Sequence, residues 1–338
     1  MFHKVVFSND VRLSYAVGRV RALEILMLPK GEFERFIDMN DGQLEKILSE
    51  HRYSFNIGED IINDQVKNYN TISGFLKPVR EYQNITRLIF LKNDIWNIKN
   101  YLKKRILKKS GQDNGYSLKF AAGNFGEDDI IRIIEKGKVD MIDPDRKELI
   151  TESFKKILSD QDGVWTEHYL DQLYCELFYK ELCQLQNSFL TFYYRNYLDL
   201  LNIENLIRMK LMNRNINNYE KVFFRNSFLK WIDMKEVFNK KIDEIPEQFK
   251  VKPYYAVIKE GIEEWQNRGN FNLFELKKDN YLLEILKLSK VAGFGIEPLM
   301  GYLWGKDMEH KNLRIVVQGR KRRLKQEKIK ELLRETYV

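Results

Sequence analysis

Asp94 and Asn97 form an acid–amide pair that could support chemistry. They lie one helical turn apart in the segment NDIWNIKNYLKKR (93–105), which otherwise has the apolar pattern of an amphipathic helix. Short polar side chains compete for nearby backbone groups, so they are poor residues for a helix interior. The pair could act as a catalytic acid beside an amide, or it could satisfy buried backbone groups as part of the architecture.

The same pattern occurs three times along the chain without a gap. The segments are DIWNIKNYLKKR (94–105), DLLNIENLIRMK (199–210) and EHKNLRIVVQGR (309–320). Each has an acid, an asparagine three residues later, then Ile or Leu, and a cation eight residues after the asparagine. The nine positions are Asp94, Asn97, Arg105, Asp199, Asn202, Lys210, Glu309, Asn312 and Arg320.

The spacing of the copies indicates repeated domains. The asparagines are separated by 105 and 110 residues, whereas solenoid repeats recur every ~20–50 residues. Each copy also falls near the end of a block bounded by turn-rich segments. We therefore predict three helical repeat domains of a few helices each, at 1–112, 113–214 and 215–338.

Helical periodicity dominates the rest of the chain and predicts an all-α fold. One helix is expected over 15–28, where Pro29 stops it, and Asp41 is a candidate N-cap for a later helix. A long helix is expected from Tyr82 to Lys109, ended by SGQDNG (110–115). A helical stretch with almost no breaker follows from about Thr166 to Met212.

Signals for an enzyme are sparse. The chain contains no GxxxxGK[ST] phosphate loop, and GFGIEP (293–298) lacks the third glycine of a dinucleotide turn. The four histidines are scattered, without HExxH or Cys/His ligand spacing. We expect no catalytic residue, no metal and no cofactor, and an unrecognised enzyme is the least supported hypothesis.

The chain has a basic C-terminal end. Nine Lys or Arg and three Glu lie between Arg314 and Val338, whereas the net charge of the whole chain is +8. The run RKRR, namely Arg320, Lys321, Arg322 and Arg323, is a candidate contact surface. It could bind nucleic acid, an anionic membrane surface or an acidic protein partner, or it could be a solvated helix end.

Neither a signal peptide nor a membrane-spanning segment is expected from the sequence. The N-terminus lacks an apolar core with a cleavage site, and no window approaches the ~18 apolar residues that cross a bilayer. Cys175 and Cys183 lie eight residues apart, too far for a disulfide within one helix, and both are expected to be buried thiols. These features predict a soluble, cytoplasmic protein.

Several of these segments resemble the C subunit of the A-type and V-type ATPases, a family that includes the eukaryotic d subunit. The resemblance rests on RVRALE (19–24), the three motif segments, EPLMGYLWGKDMEHKNLRIV (297–316) and the terminal ELLRETYV. It extends from about residue 12 to the C-terminus and is most specific in the last forty residues. Asp307 stands where the family would have Glu, and RKRR replaces a shorter loop containing Gly and Pro.

The resemblance implies a fold and a set of partners. The fold is three similar helical bundles with pseudo-threefold symmetry, forming a funnel around a central cavity. The implied protein is non-catalytic and peripheral, at the cytoplasmic side of the membrane. It links the D and F subunits of the central stalk to the ring of membrane proteolipid subunits and passes torque between ATP chemistry and H⁺ or Na⁺ translocation. No nucleic-acid partner is expected; a basic helical scaffold that binds nucleic acid is the alternative.

Two roles are open to the repeated motif within this family. Its acids and asparagines could satisfy helix ends or neighbouring helices in each domain, or they could line the cavity and contact the stalk. We favour the architectural role, because a domain repeat preserves the fold before it preserves contacts.

Overall fold

The computed structural model describes residues 6–51, 53, 60–109, 121–160 and 163–338. These residues form fifteen α-helices joined by turns and short 3-10 helices, and they contain no β-strand. The all-α prediction is confirmed. The predicted terminator SGQDNG (110–115) and the domain boundary at 112/113 lie outside the described residues, and the three-domain division stays a prediction.

The helices vary in length from two to more than seven turns. The α-helices are α1 (Ser14–Glu24), α2 (Lys30–Asp38), α3 (Asp41–Glu50), α4 (Asp60–Leu76), α5 (Gln83–Lys109), α6 (Glu127–Glu135), α7 (Lys147–Ser159), α8 (Thr166–Gln184), α9 (Ser188–Leu211), α10 (Ile216–Val222), α11 (Trp231–Phe238), α12 (Tyr255–Arg268), α13 (Asn272–Lys287), α14 (Glu297–Lys321) and α15 (Gln326–Leu332). The 3-10 helices are Val11–Leu13, Arg80–Tyr82, Val139–Met141, Pro144–Arg146, Ile242–Glu244, Pro246–Phe249 and Leu288–Val291.

One compact unit comprises residues 1–79, 187–203 and 227–338, and α14 is its central helix. This helix packs against α1, α2, α4, α13 and α15. Much of its sequence is buried, including polar residues, because neighbours surround it on several sides. Part of the surrounding apolar core consists of Leu28, Phe33, Phe36, Ile37, Leu44, Leu48, Tyr53, Leu313, Val316, Ile329 and Leu333.

The second compact unit comprises residues 80–186 and 204–226. Helix α8 packs against α5, α7 and α10, and α5 also contacts α6. The short helix α6 has a sharply divided surface, since Ile130, Ile133 and Ile134 are buried while acidic residues occupy its first turn. Acids at a helix N-terminus are favourable because they face the positive end of the helix dipole.

Two glycines on α14 allow Tyr337 to approach the helix closely. A Cβ atom at Gly305 would lie 2.7–2.8 Å from Cγ and Cβ of Tyr337, and one at Gly301 would lie 2.7 Å from the Tyr337 hydroxyl. Tyr337 is 1% exposed and pairs with the Ser289 hydroxyl at 2.9 Å. Because Gly301 and Gly305 have no side chains, Tyr337 can pack against α14.

The structure corrects two expectations about local structure. The N-cap of α3 is Asn40, whose side chain accepts the Gln43 N–H, and Asp41 is the first helical residue. The expected helix from Thr166 to Met212 is broken between α8 and α9, where Gln186 adopts the left-handed conformation with φ 50°. Asn187 then caps α9 by accepting the Leu190 N–H at 2.8 Å.

The first helix and one cysteine also differ from expectation. Helix α1 ends at Glu24, before Pro29, and Pro29 is instead the N-cap residue of α2. Cys175 is buried as predicted, but Cys183 is exposed. The periodicity of α8 does not by itself distinguish these two positions, because α8 is apolar around much of its circumference.

Candidate functional site

The acids and asparagines of the repeated motif lie in the middle of three long helices and are buried. The helices are α5, α9 and α14, and the six residues are Asp94, Asn97, Asp199, Asn202, Glu309 and Asn312. Each of them is at most 2% exposed. A buried polar group that lacks a partner costs about 1–3 kcal/mol. The hydrogen bonds of these side chains therefore show what the motif does.

In the first copy, the motif holds the segment that precedes α6. The Asn97 amide donates to the carbonyl of Ala121 and accepts the N–H of the same residue, both at 2.8 Å. Asp94 accepts the N–H groups of Asn124 and Phe125, each at 3.1 Å, and the Asn124 side-chain amide at 2.7 Å. Two side chains of α5 thus satisfy a run of backbone groups about 24–31 residues further along the chain.

Gly123 allows this segment to approach Asp94. A Cβ atom at position 123 would lie 2.0 Å from Oδ1 of Asp94, so any other residue would push the two apart. Burial raises the pKa of Asp94 to about 6, although the N–H groups of Asn124 and Phe125 act in the opposite direction. Sequence reasoning missed Gly123; its only local signal was a glycine in the loop segment AAGNF.

The second copy repeats this arrangement on α9. Asp199 accepts the Leu229 N–H and the Tyr254 hydroxyl, each at 2.9 Å. The Asn202 amide donates to the Ser227 hydroxyl at 3.0 Å. That hydroxyl donates in turn to the Leu229 carbonyl at 3.0 Å. Burial raises the pKa of Asp199 above its ordinary value, although the hydrogen bonds from Leu229 and Tyr254 act in the opposite direction.

The third copy keeps the asparagine bonds and changes those of the acid. The Asn312 amide donates to the Arg334 carbonyl and accepts the Arg334 N–H, both at 2.9 Å. Glu309 instead pairs with Lys306 at 2.8 Å and accepts the Tyr53 hydroxyl. Tyr53 lies 256 residues away in sequence, and its pKa is raised by burial and by the Glu309 charge.

The shared element of the three copies is the bond from the asparagine to a later segment. The separations are 24, 25 and 22 residues, to Ala121, Ser227 and Arg334. We call these contacts the asparagine clamps. Since the six side chains are buried and the partners described above are groups of the same chain, the geometry is that of structural cross-links between each long helix and the segment that follows it.

Arg105, the cation of the first copy, pairs with a carboxylate outside the clamps. Arg105 lies 3.4 Å from Glu135, and both side chains are more than one-third exposed. Such an exposed pair contributes little to stability. Lys210 is half-buried near the end of α9, and burial lowers its pKa.

The basic run divides into one bonded arginine and three exposed cations. Arg320 donates to the Phe36 carbonyl at 2.7 Å and to Asp41 at 2.6 Å. Residues 321–323 are exposed, and Arg323 adopts the left-handed conformation with φ 53° just beyond the end of α14. Cations at a helix C-terminus are stabilised by the negative end of its dipole.

Replacing Asn312 by Leu tests the contribution of a clamp to stability. The variant leaves the N–H and the carbonyl of Arg334 without their amide partner, so we expect the free energy of unfolding to fall by about 2 kcal/mol. Urea denaturation followed by circular dichroism measures the change. Asn267→Leu is the matched control, because Asn267 lies on helix α12 and is exposed; equal losses in the two variants would contradict a structural role of the clamp.

Comparison with known proteins matches this chain to one protein family and to several of its members. The ATP synthase (C/AC39) subunit family matches residues 16–332. The C subunit of an A-type ATP synthase from Methanosarcina barkeri is 25% identical over 343 residues, covering 94% of this chain and 92% of that protein. Its counterpart from Methanosarcina acetivorans is 23% identical over 95% of this chain and 92% of its own length. The C subunit of a V-type sodium ATPase from Enterococcus hirae is 33% identical over 86 residues, 25% of each chain.

The fold and the clamps define an all-α protein in which long helices are fastened to later segments by buried side chains. Since the family matches nearly the whole chain, the chain belongs to the ATP synthase (C/AC39) subunit family. In the described part of the chain, no helix has the length and apolar character needed to span a membrane.

Proposed function

We propose that the chain is the non-catalytic socket in the rotor of an A-type or V-type rotary ATPase, the equivalent of the eukaryotic d subunit. It links the D and F subunits of the central stalk to the ring of membrane proteolipid subunits. In this position it transmits torque between ATP hydrolysis or synthesis and the translocation of H⁺ or Na⁺. The family match over residues 16–332 is the observation that carries this proposal.

The geometry supports a role in transmitting force. A coupling element must resist bending, and helices as long as α5, α9 and α14 are stiff when they are packed along their length. The asparagine clamps add cross-links from the middle of each of these helices to a segment 22–25 residues further along the chain. Force applied to the clamped segment is therefore shared with a long helix.

The three-domain organisation is part of the proposal. We divide the chain at 1–112, 113–214 and 215–338, with one clamp asparagine in each domain, and the funnel arrangement follows from the family resemblance. The clamps of Asn97 and Asn202 reach the first part of the next proposed domain, whereas that of Asn312 stays within its own. Within it, the six buried motif residues maintain the fold and do not touch the stalk. Their burial and their bonds within the chain support this assignment.

We place the protein at the cytoplasmic side of the membrane as a peripheral component of the complex. Lys321, Arg322 and Arg323 are the exposed members of the candidate contact surface and suit an acidic protein surface or anionic lipid headgroups. The nucleic-acid alternative depends on the same three side chains. It requires salt-dependent binding that persists near physiological salt.

Removing the chain from the native complex tests the coupling role. Membranes that lack it are expected to lose ATP-driven ion translocation, because the stalk no longer engages the ring, while the detached soluble sector still hydrolyses ATP. Ion uptake into vesicles and phosphate release measure the two activities separately. Re-adding the purified chain should restore translocation; undiminished translocation in its absence would refute the proposed function.

A further inference from the structure

A pocket with largely basic walls lies between α13, α14 and the segment that follows α15. Its volume is about 440 Å³, which falls within the ~300–1,000 Å³ of sites that hold small molecules. All of its lining residues belong to one compact unit. We call it the α13–α14 pocket, and its charged lining residues are Glu275, Lys278, Asp279, Lys311, Arg314 and Arg334.

The charges that line the α13–α14 pocket do not balance. Four cations accompany two carboxylates, which leaves an excess of two positive charges. Asp279 is buried and shared, because Lys311 donates to its Oδ1 at 2.9 Å and Arg334 donates to its Oδ2 at 3.1 Å. Although burial acts to raise it, the pKa of Asp279 is lowered by the charges of Lys311, Lys278 and Arg334. One carboxylate does not neutralise the three cations around it, so the pocket favours an added anion.

Two arginines at the α13–α14 pocket keep donors for such an anion. Arg314 is exposed, and it has neither a hydrogen bond nor an ion pair among the described residues. Arg334 uses Nε for Asp279 and Nη1 for the Leu332 carbonyl, at 2.7 Å, which leaves its Nη2 without a partner in the described part of the chain. Guanidinium groups match the oxygens of a phosphate group in geometry as well as in charge.

The segment that carries Arg334 is held in place before any ligand binds. The Asn312 clamp satisfies both the N–H and the carbonyl of Arg334 at 2.9 Å. The next N–H, that of Glu335, donates to the Asn280 side chain at 2.9 Å. Asp279 fixes the guanidinium itself. Because these groups are already ordered, binding an anion costs less conformational entropy than it would on mobile surface side chains.

We propose that the α13–α14 pocket binds a phosphate monoester. Such a group carries roughly −1.5 to −2 charges at pH 7, which matches the excess of two positive charges in the lining. A site of this volume holds a small organic molecule rather than a lone ion. A soluble metabolite and the headgroup of an anionic phospholipid present the same phosphate chemistry. The inference rests on the pocket and does not depend on the proposed function.

Two probes that share this phosphate chemistry test the pocket and separate the sources. Glycerol phosphate is the soluble probe, and calorimetry measures its binding to the purified chain. Vesicles of phosphatidylcholine that contain phosphatidic acid present the same monoester on a membrane, and co-sedimentation measures their binding. Arg314→Gln should weaken binding about tenfold, because a charge-assisted hydrogen bond is lost. It should fold unchanged, since Arg314 is exposed and glutamine is a good helix former.

Arg19→Gln is the matched control, because Arg19 is an exposed helical arginine of the same unit that lies outside the pocket. It removes the same charge and should leave the affinity nearly unchanged at physiological salt. Glu275→Gln removes one of the two carboxylates of the lining and should tighten binding a few-fold, a result that damage to the fold would not produce. Circular dichroism checks the fold of each variant.

The outcomes decide both the site and the source of the phosphate. Binding of glycerol phosphate that Arg314→Gln weakens supports the pocket with a soluble ligand. Binding of the phosphatidic acid vesicles alone, weakened by the same variant, supports the pocket with a lipid headgroup. No binding of either probe near physiological salt would overturn the inference. So would binding that Arg314→Gln leaves unchanged and Lys321→Gln/Arg322→Gln abolishes, because the basic run would then be the site. Equal affinity for succinate, a dianion without phosphate, would contradict the choice of ligand.

Discussion

Replacing Gly305 by Val is expected to lower the free energy of unfolding by about 3 kcal/mol, a larger loss than that expected from breaking an asparagine clamp. The new Cβ would lie within 2.8 Å of two Tyr337 atoms, and its methyl groups would extend further into the same ring. Either α14 shifts within a packed core, or Tyr337 leaves its buried position.

Two further variants assign the loss to this contact. Gly18→Val is the matched control, since a Cβ at Gly18 meets no heavy atom within 4 Å and the position is also helical. It should change stability by less than about 0.5 kcal/mol, because valine is a slightly better helix former than glycine.

Because Tyr337→Ala removes Cγ and the ring but keeps the Cβ atom, Gly305→Val should cost less in a chain that already carries that change than in the parent chain. Urea denaturation of the four chains completes the cycle. Additive losses would contradict the explanation.

Replacing His310 by Leu is expected to stabilise the protein, and the gain should increase as the pH falls. His310 is 1% exposed, and neither of its ring nitrogens has a hydrogen-bond partner among the described residues. Burial, with the nearby Lys306 charge, lowers the pKa of His310 to about 3. A leucine of similar volume removes an unsatisfied buried group, which is expected to gain about 1 kcal/mol near pH 8.

The pH dependence follows from the lowered pKa. In the unfolded chain this histidine binds a proton below a pKa of about 6.5, whereas in the folded chain it stays neutral. The free energy of unfolding is therefore highest above that pH. It decreases as the pH falls from about 6.5 toward 3, because the unfolded chain then binds a proton that the folded chain does not. At pH 5 the free energy of unfolding of the parent chain is about 2 kcal/mol lower than at pH 8 because of this histidine. The difference between His310→Leu and the parent chain should grow by that amount.

Denaturation midpoints measured from pH 8 to pH 5 test this expectation. The control Met308→Leu alters packing on the same helix without changing a titratable group, so it should keep the pH dependence of the parent chain. A constant difference between His310→Leu and the parent chain across this range would show that His310 titrates normally in the folded state.

These two predictions concern residues that the sequence did not single out. Gly305 lies within a segment that resembles the family, but nothing nearby in sequence indicates that Tyr337 contacts it. His310 was counted only as one of four scattered histidines. Both depend on contacts between α14 and segments that are distant along the chain, and such contacts leave no periodic signal.

The amino-acid pattern alone was enough to predict the all-α class, most of the helices, and the three positions at which the motif recurs. It could do so because side-chain periodicity records which face of a helix is buried, and because glycine, proline and asparagine mark chain reversals locally. It also predicted that Asp94 and Asn97 recur as equivalents on later helices. The break at Gln186 escaped it, because Asn187 is the only such residue there and neither glycine nor proline accompanies it.

The hydrogen-bond partners of the motif residues, in contrast, could be identified only in the folded chain. Asn97, Asn202 and Asn312 reach groups 22–25 residues away, and Glu309 reaches Tyr53 across 256 residues. A buried amide or carboxylate requires a partner, but its identity depends on which segment packs against the helix. The hydrogen bonds from Asn124 and Phe125 to Asp94 are possible only because Gly123 has no side chain to keep the backbone away.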